Sequence, residues 1–220
     1  MNVWIIIPAY NERFRLAGIL EELKSKNFSV LVVDDGSLDN THEMAEKKAD
    51  FVIRNDKNLG KGMSLKKGIS YLLKETGFDY LATMDADGQH SPSDLDKFLQ
   101  KAEDGEYFIV GNRMSNPIGM PKLRVITNKF MSWLISRIVG QRIPDTQCGF
   151  RLIKREVLEK IKIKTNNFEI ESEILIKAAR FGFPIKSVPV RSIYFKSLNS
   201  RINPFVDTIR FIKFILQLEK

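Results

Sequence analysis

Asp85, Asp87 and Gln89 alternate with Ala86 and Gly88 in the stretch YLATMDADGQH, directly after an apolar run. Side chains two apart in extended backbone point the same way. The spacing is therefore expected to present three oxygens to one point. Hard oxygen donors suit Mg2+ or Mn2+ rather than zinc, and the chain has only one cysteine and two histidines to offer otherwise. Such ions keep waters and complete their shells with substrate phosphates, so the array points to a diphosphate ligand. The plain alternative for a D-x-D tripeptide is a pair of solvated turn caps.

More polar groups fall in other short loops. Glu12 ends IIIPAYNE, Asp34 and Asp35 open DDGS, and Arg113 ends GNR. Clustered carboxylates repel unless a cation sits between them. Each also has a plain reading: Tyr10 as a packing aromatic, Glu12 as a first-turn helix acid, Asp34 and Asp35 as caps of the turn at Gly36. Lys61 lies in GKG without the spacing of a phosphate-binding loop and reads as a solvated lysine. His42 and His90 read as structural or solvent-facing, and Cys148 as a small packed residue. Of Glu169, Glu171 and Glu173 in FEIESEIL, two read as solvated and one as facing a cleft.

The elements that must position these groups follow from hydrophobic pattern. Short β-branched or apolar runs at 3–7, 30–33, 51–53, 80–84 and 107–110 read as strands. Helical patterns begin at Asn11, at a cap formed by Asp39 or Thr41, at about 60–75, and at Pro92. This alternation predicts a parallel, doubly wound α/β sheet. Ligands in such sheets bind outside the carboxyl ends of the strands, where loops 8–12, 34–37, 85–90 and 111–113 fall. Later, 123–139 reads as a long apolar helix with basic residues, 168–181 as a helix and 185–195 as a strand. The stretch NPFVDTIRFIKFILQLEK reads as a second wide-faced helix.

The 220 residues fit one large domain, and 43% hydrophobic residues suffice for a substantial core. The net charge of +8 suggests an anionic partner. Nucleic acid is not expected, because the basic residues are scattered among acids with no aromatic platform. One cysteine allows no intrachain disulfide and fits a reducing compartment. No secretory leader or spanning segment is read.

The ordered set IIIPAYNE, VLVVDDGSLDNT, NLGKGMSLKKG, ATMDADGQHSP and VGNRM resembles the inverting nucleotide-sugar glycosyltransferases of family 2. MDADGQHSP, Arg113 and DTQCGFRLIKREVL most resemble the polyprenyl-phosphate sugar transferases within it. The resemblance covers about residues 3–195. It implies a GT-A fold over residues 1–195, a nucleotide-sugar half at 1–115, an acceptor half at 116–195, and an amphipathic extension at 196–220. It also implies a nucleotide-diphosphate sugar donor, a polyprenyl phosphate acceptor and Mg2+ or Mn2+. Pro8, Ala9, Tyr10 and Glu12 would line the nucleoside pocket. Val33 and Asp35 would hold base and ribose. Asp85, Ala86 and Asp87 would meet ribose and diphosphate, with Asp85, Asp87 and Gln89 on the metal. Arg113 would contact the donor sugar-phosphate or the acceptor phosphate, Arg124 the acceptor phosphate, and Arg201 the diphosphate. The family's Gly-Glu-Ser-Lys stretch is KSLNSRINP here, with Lys196 standing in for an upstream basic residue.

One displacement at the anomeric carbon would invert it. An ionised phosphate acceptor needs no base. A glycan or other hydroxyl acceptor, the alternative, would need one, and Asp145 is the candidate. The two basic, aromatic-bearing helices suit the interface of a membrane, which predicts a peripheral enzyme on the cytoplasmic face.

Overall fold

A computed structural model describes residues 1–166 and 169–193. The first five strands form where the apolar runs predict them: β1 (Val3–Ala9), β2 (Ser29–Asp34), β3 (Phe51–Arg54), β4 (Tyr80–Thr83) and β5 (Phe108–Asn112). β1, β2 and β4 are buried along almost their whole length, which is why their sequences show no polar alternation. Helices α1 (Arg13–Ser25), α2 (Thr41–Lys48), α3 (Lys61–Glu75) and α4 (Leu95–Glu103) connect them. Pro92 opens a short 3-10 turn ahead of α4 rather than α4 itself.

The second half contributes α5 (Lys122–Val139), β6 (Arg151–Lys154), α6 (Arg155–Lys160), α7 (Ile170–Arg180) and β7 (Ile185–Pro189). The seven-stranded sheet runs β3-β2-β1-β4-β6-β5-β7. All strands are parallel except β6, which runs antiparallel to β4 and β5. The expected parallel sheet is thus interrupted by one reversed strand. Its start, Arg151, pairs with both Thr83 and Val110. The loop before β6 therefore opens at the same edge as the carboxyl ends of β1, β2, β4 and β5.

The order reverses at β1: the chain fills β2 and β3 on one side and then crosses back to β4 on the other. α3 makes that crossing over β2 and β1. It packs closely, because a Cβ at Gly68 would lie 3.1 Å from Val33 Cγ2 and 3.2 Å from Ile6 Cδ1. α7 touches α3 and α5 in turn.

α1 starts at Arg13, not Asn11, because Asn11 has φ 56°, the left-handed conformation that asparagine tolerates. Asn11 Oδ1 accepts from Leu38 N at 2.8 Å, and its own N–H donates to Ser37 Oγ at 3.0 Å. The loops after β1 and β2 are stitched together by these bonds. Asp39 accepts from Thr41 N at 2.9 Å at the start of α2, and Thr41 Oγ1 accepts from Glu12 N at 3.1 Å.

α5 turns Met131 and Ile135 inward and leaves Leu123, Ile126, Phe130 and Trp133 exposed. No helix among the described residues is long and apolar enough to cross a membrane. Lys196, Arg201 and the second amphipathic helix lie outside the described residues.

Candidate active site at the carboxyl edge of the sheet

The chain does not stay extended through the aspartates. It turns at Ala86 and Asp87, and Gly88 takes φ 73°. Asp87 Oδ1 accepts from Gln89 N at 2.9 Å, the local turn that aspartate favours. Asp85, Asp87 and Gln89 therefore lie in a turn, not in the extended alternation expected from the sequence. Asp85 sits just past β4, beside the reversal point of the sheet, where such folds bind ligands.

Asp85 meets a cation from another element. Lys61, the first residue of α3, places Nζ 2.5 Å from Asp85 Oδ1 and 3.1 Å from Glu171 Oε1 of α7. Lys61 is thus not a solvated loop lysine: its side chain is 23% exposed and joins three elements. Burial pushes Asp85 upward, but Lys61 outweighs it, with lesser help from His90 and Arg113, and the carboxyl is held at about 2. Burial likewise opposes the Lys61 charge, and Asp85 and Glu171 overcome that and raise its pKa.

The loop before β6 supplies the floor. Thr83 Oγ1 donates to Gly149 O at 2.7 Å. A Cβ at Gly149 would lie 2.9 Å from Lys61 Nζ and Glu171 Oε1 and 3.0 Å from Asp85 Oδ2. Only glycine leaves room for the three charged ends to meet there. Arg151 fixes both sides of this floor: Nε donates to Cys148 O at 2.9 Å, Nη2 to Thr146 O at 2.9 Å, and Nη1 to Glu171 O.

His90 is buried in the site, not solvent-facing. Its Nδ1 accepts from Asp85 N at 3.4 Å, and its ring stacks on Phe150 at 5.3 Å. Burial lowers its pKa and outweighs the opposing pull of Asp85 and Asp87. An imidazole with Nδ1 accepting is neutral at that nitrogen and braces the turn. Cys148 is fully buried, and burial pushes its thiol up to about 12, as suits a packed residue.

Arg113, just past β5, pairs with Asp145. Its Nε and Nη2 donate to the two carboxylate oxygens at 2.8 and 3.0 Å, and its backbone N–H donates at 3.1 Å. Asp145 is 0% exposed. Both carboxylate oxygens are turned to Arg113 and closed off from solvent, which leaves neither to face an acceptor, so Asp145 is not the general base the sequence suggested. It holds Arg113 in place, and the Arg113 charge reaches both Asp85 and His90.

The nucleoside-side residues divide. Pro8, Tyr10 and Glu12 are partly exposed at the end of β1, with Glu12 Oε2 2.8 Å from Arg15. Ala9 and Ala86 are buried at 2% and 4%, which leaves mainly backbone to a ligand. The Val33 side chain is in the core against Gly68, so it too leaves only its backbone to a ligand. Asp35 has internal work, accepting from Asn55 Nδ2 at 2.8 Å, Leu59 N at 2.9 Å and Gly60 N at 2.8 Å. Those bonds draw in the loop that carries Lys61. Arg124 lies partly buried on α5.

Glu173 is also corrected. It is fully buried, accepts from Lys164 N and Thr165 N at 2.8 Å each, and pairs with Lys177. Glu171 is the member of its trio that faces the cleft. Its role is visible in the sequence only as one of three options, and Lys61 and Gly149 were missed although they lie within NLGKGMSLKKG and DTQCGFRLIKREVL, because no spacing in those stretches singles either residue out.

The donor set can be tested against a divalent cation. Among the described residues no three of His, Cys, Asp and Glu converge on one point. Asp85, Asp87 and the Gln89 amide share the turn after β4 and are all hard oxygen donors. That set fits Mg2+ or Mn2+ shared with a diphosphate, and it does not fit a closed protein cage.

The chain belongs to glycosyl transferase family 2, whose family model matches residues 4–162. It is 29% identical over 87% of its length, and 86% of the relative's, to a UDP-N-acetylglucosamine–dolichyl-phosphate N-acetylglucosaminyltransferase from Methanococcus voltae. It is 30% identical to a polyprenol monophosphomannose synthase from Mycolicibacterium smegmatis, over 84% of this chain and 75% of that one. The fold matches mannosyl-3-phosphoglycerate synthase from Rubrobacter xylanophilus with a TM-score of 0.73 at 20% identity, covering 100% of this chain and 75% of that one. A glucosyl-3-phosphoglycerate synthase from Mycobacterium tuberculosis, crystallised with Mn2+, UDP and phosphoglyceric acid, matches at 0.67 and 17% identity over 88% and 71%. The fold is GT-A, and the chain is a glycosyltransferase.

Proposed function

We propose that this glycosyltransferase moves a sugar from a nucleotide-diphosphate sugar to a polyprenyl phosphate, with inversion and with Mg2+ or Mn2+. The observation that carries the reading is the charge layout at the end of β4. Two carboxylates and an amide occupy one turn, with the Lys61 and Arg113 cations behind them. A bound divalent ion would supply Lewis-acid charge to the departing nucleoside diphosphate.

The chain's own residues do the rest. Asp85, Asp87 and Gln89 orient the diphosphate end of the donor. Pro8, Tyr10, Glu12 and Asp35, with the backbone at Ala9 and Ala86, border the nucleoside. Arg113, fixed by Asp145, adds preorganised positive charge. Arg201 is proposed to reach the diphosphate from outside the described residues. Arg124 binds the acceptor phosphate. With Asp145 sealed, an acceptor that is already ionised fits better than a hydroxyl that must lose a proton. The two relatives named for lipid-phosphate acceptors support the same class.

Membrane contact falls to α5 within the described residues. Leu123, Ile126, Phe130 and Trp133 make an outward apolar stripe beside Lys122, Lys129 and Arg137, the composition of an interfacial helix. The enzyme is accordingly read as peripheral on the cytoplasmic face.

A thermal-shift panel of nucleoside diphosphates with Mn2+, followed by transfer to a polyprenyl phosphate, tests the whole reading. Arg124→Ala is expected to weaken use of the phosphate acceptor about ten- to a hundredfold, the worth of a charge-assisted bond, with donor binding unchanged. Equal loss of both would make α5 structural.

A further inference from the structure

Lys61 holds an unusual position for a lysine at the start of a helix. Its ammonium lies between two carboxylates from different elements, 2.5 Å from Asp85 and 3.1 Å from Glu171. Glu171 Oε1 is buried, and its contact in the structure is the Lys61 ammonium. Gly149 keeps the space between the three ends clear. The ammonium therefore neutralises the carboxylate whose other task is to hold a divalent ion. A divalent ion arriving alone must push the ammonium off Asp85 or sit beside a like charge, and either is unfavourable. A diphosphate arriving with the ion offers the ammonium a replacement anion within reach of the same side chain.

We infer that Lys61 is an internal counter-ion to Asp85, exchanged for the divalent cation when a nucleoside diphosphate enters and takes over the ammonium. The inference rests on reading this edge as a metal–nucleotide site. It deepens that reading by making metal and nucleotide bind cooperatively, with Lys61 as the positioning residue that couples them. Such coupling is reciprocal: each ligand raises the affinity of the other by the same factor.

Mn2+ uptake measured by the loss of the free-ion electron paramagnetic resonance signal tests this without turnover. Full-length wild type, Lys61→Met and, as a control, Asp85→Asn are titrated with Mn2+ alone and then with saturating UDP or GDP. Wild type should take up Mn2+ weakly alone and at least about tenfold more tightly with the nucleotide. Lys61→Met should bind Mn2+ alone about tenfold more tightly than wild type, and adding nucleotide should change this little. Asp85→Asn should bind poorly in both conditions. Lys61→Gln, which keeps a donor to Asp85, gives the same reading should the methionine variant fail to fold. If Lys61→Met and Lys61→Gln bind lone Mn2+ no better than wild type while wild type still takes it up with nucleotide, the counter-ion role is overturned and the site reading stands. If wild type takes up no Mn2+ even with UDP and GDP, the metal–nucleotide reading fails and takes the inference with it.

Discussion

Two ion pairs stand at the same edge of the sheet, and they are built differently. Arg113 and Asp145 are 5% and 0% exposed at the side chain, joined by two side-chain hydrogen bonds and a third from backbone. Lys61 and Asp85 are 23% and 27% exposed, with a second carboxylate alongside. The first pair can neither lose a partner nor gain one without leaving a buried charge. The second can change partners, because both members touch solvent. A sealed pair sets geometry, and an open pair can take part in binding. The sequence gives no hint of the distinction, since all four residues belong to motif-like stretches.

The largest expected effect breaks the sealed pair. Asp145→Ala removes the buried carboxylate that accepts three bonds from Arg113 and is expected to cost about 3–5 kcal/mol of stability, measured by denaturant unfolding. Asp85→Asn, by the same measurement, should cost about 1 kcal/mol or less, as for partly exposed pairs. Similar losses at the two positions would erase the contrast.

Asp87→Ala probes the open side without touching either pair. It should remove detectable stabilisation by nucleoside diphosphates in Mn2+ while the ligand-free melting temperature stays put, because the turn is partly exposed and the change removes no core. Binding equal to wild type would show that Asp87 does not serve the ligand.

Gly149→Ala sharpens the comparison further. The three atoms nearest its Cβ would be the flexible ends of Lys61, Glu171 and Asp85, so the fold should tolerate it with little change in melting. The open pair should be pushed apart, and nucleotide–Mn2+ affinity should fall about tenfold, or 1.4 kcal/mol, by calorimetry. A large loss of stability instead would mean that the charged cluster is as rigid as the sealed pair.

The smallest effect concerns acid. Asp85 has its pKa depressed to about 2, so its contribution is present above its unfolded value near 3.9 and is lost as pH falls through about 2. Between roughly pH 4 and 2, wild type should lose slightly more stability than Asp85→Asn. Identical acid limbs in the two unfolding profiles would place the Asp85 pKa near its ordinary value.

Much of this was legible because local pattern and global position agree. Five strands are short apolar runs, four of them buried along most of their length, and the loops after β1, β2, β4 and β5 are marked in the sequence by Pro8, Gly36, Asp85 and Arg113. β6 escaped, because RLIK is four residues long, begins with a buried arginine and runs straight into α6 with no turn residue. The alternation of Asp85, Asp87 and Gln89 misled, although Gly88 was there to signal the turn that replaces it. Lys61, Asp85, Gly149 and Glu171 come together only through the crossing of α3 and the reversal of β6. No spacing in one sequence encodes a meeting of that kind. Asp145 looked reactive from its motif and proved sealed, which is a property of its depth.

Because β6 lies between β4 and β5, the sheet cannot grow in the order in which the chain is made. β5 has β6 and β7 as its neighbours, and both lie later in the sequence. During synthesis at 5–20 residues per second, roughly 40 residues separate the end of β5 from the start of β6, a wait of roughly 2–8 s. Over that interval the free side of β4 is an unpaired strand edge, the kind of surface that invites wrong partners. A chain that ends near residue 115 therefore leaves the β6-facing side of β4 bare, and chaperones should hold it more strongly than a chain extended past Pro189.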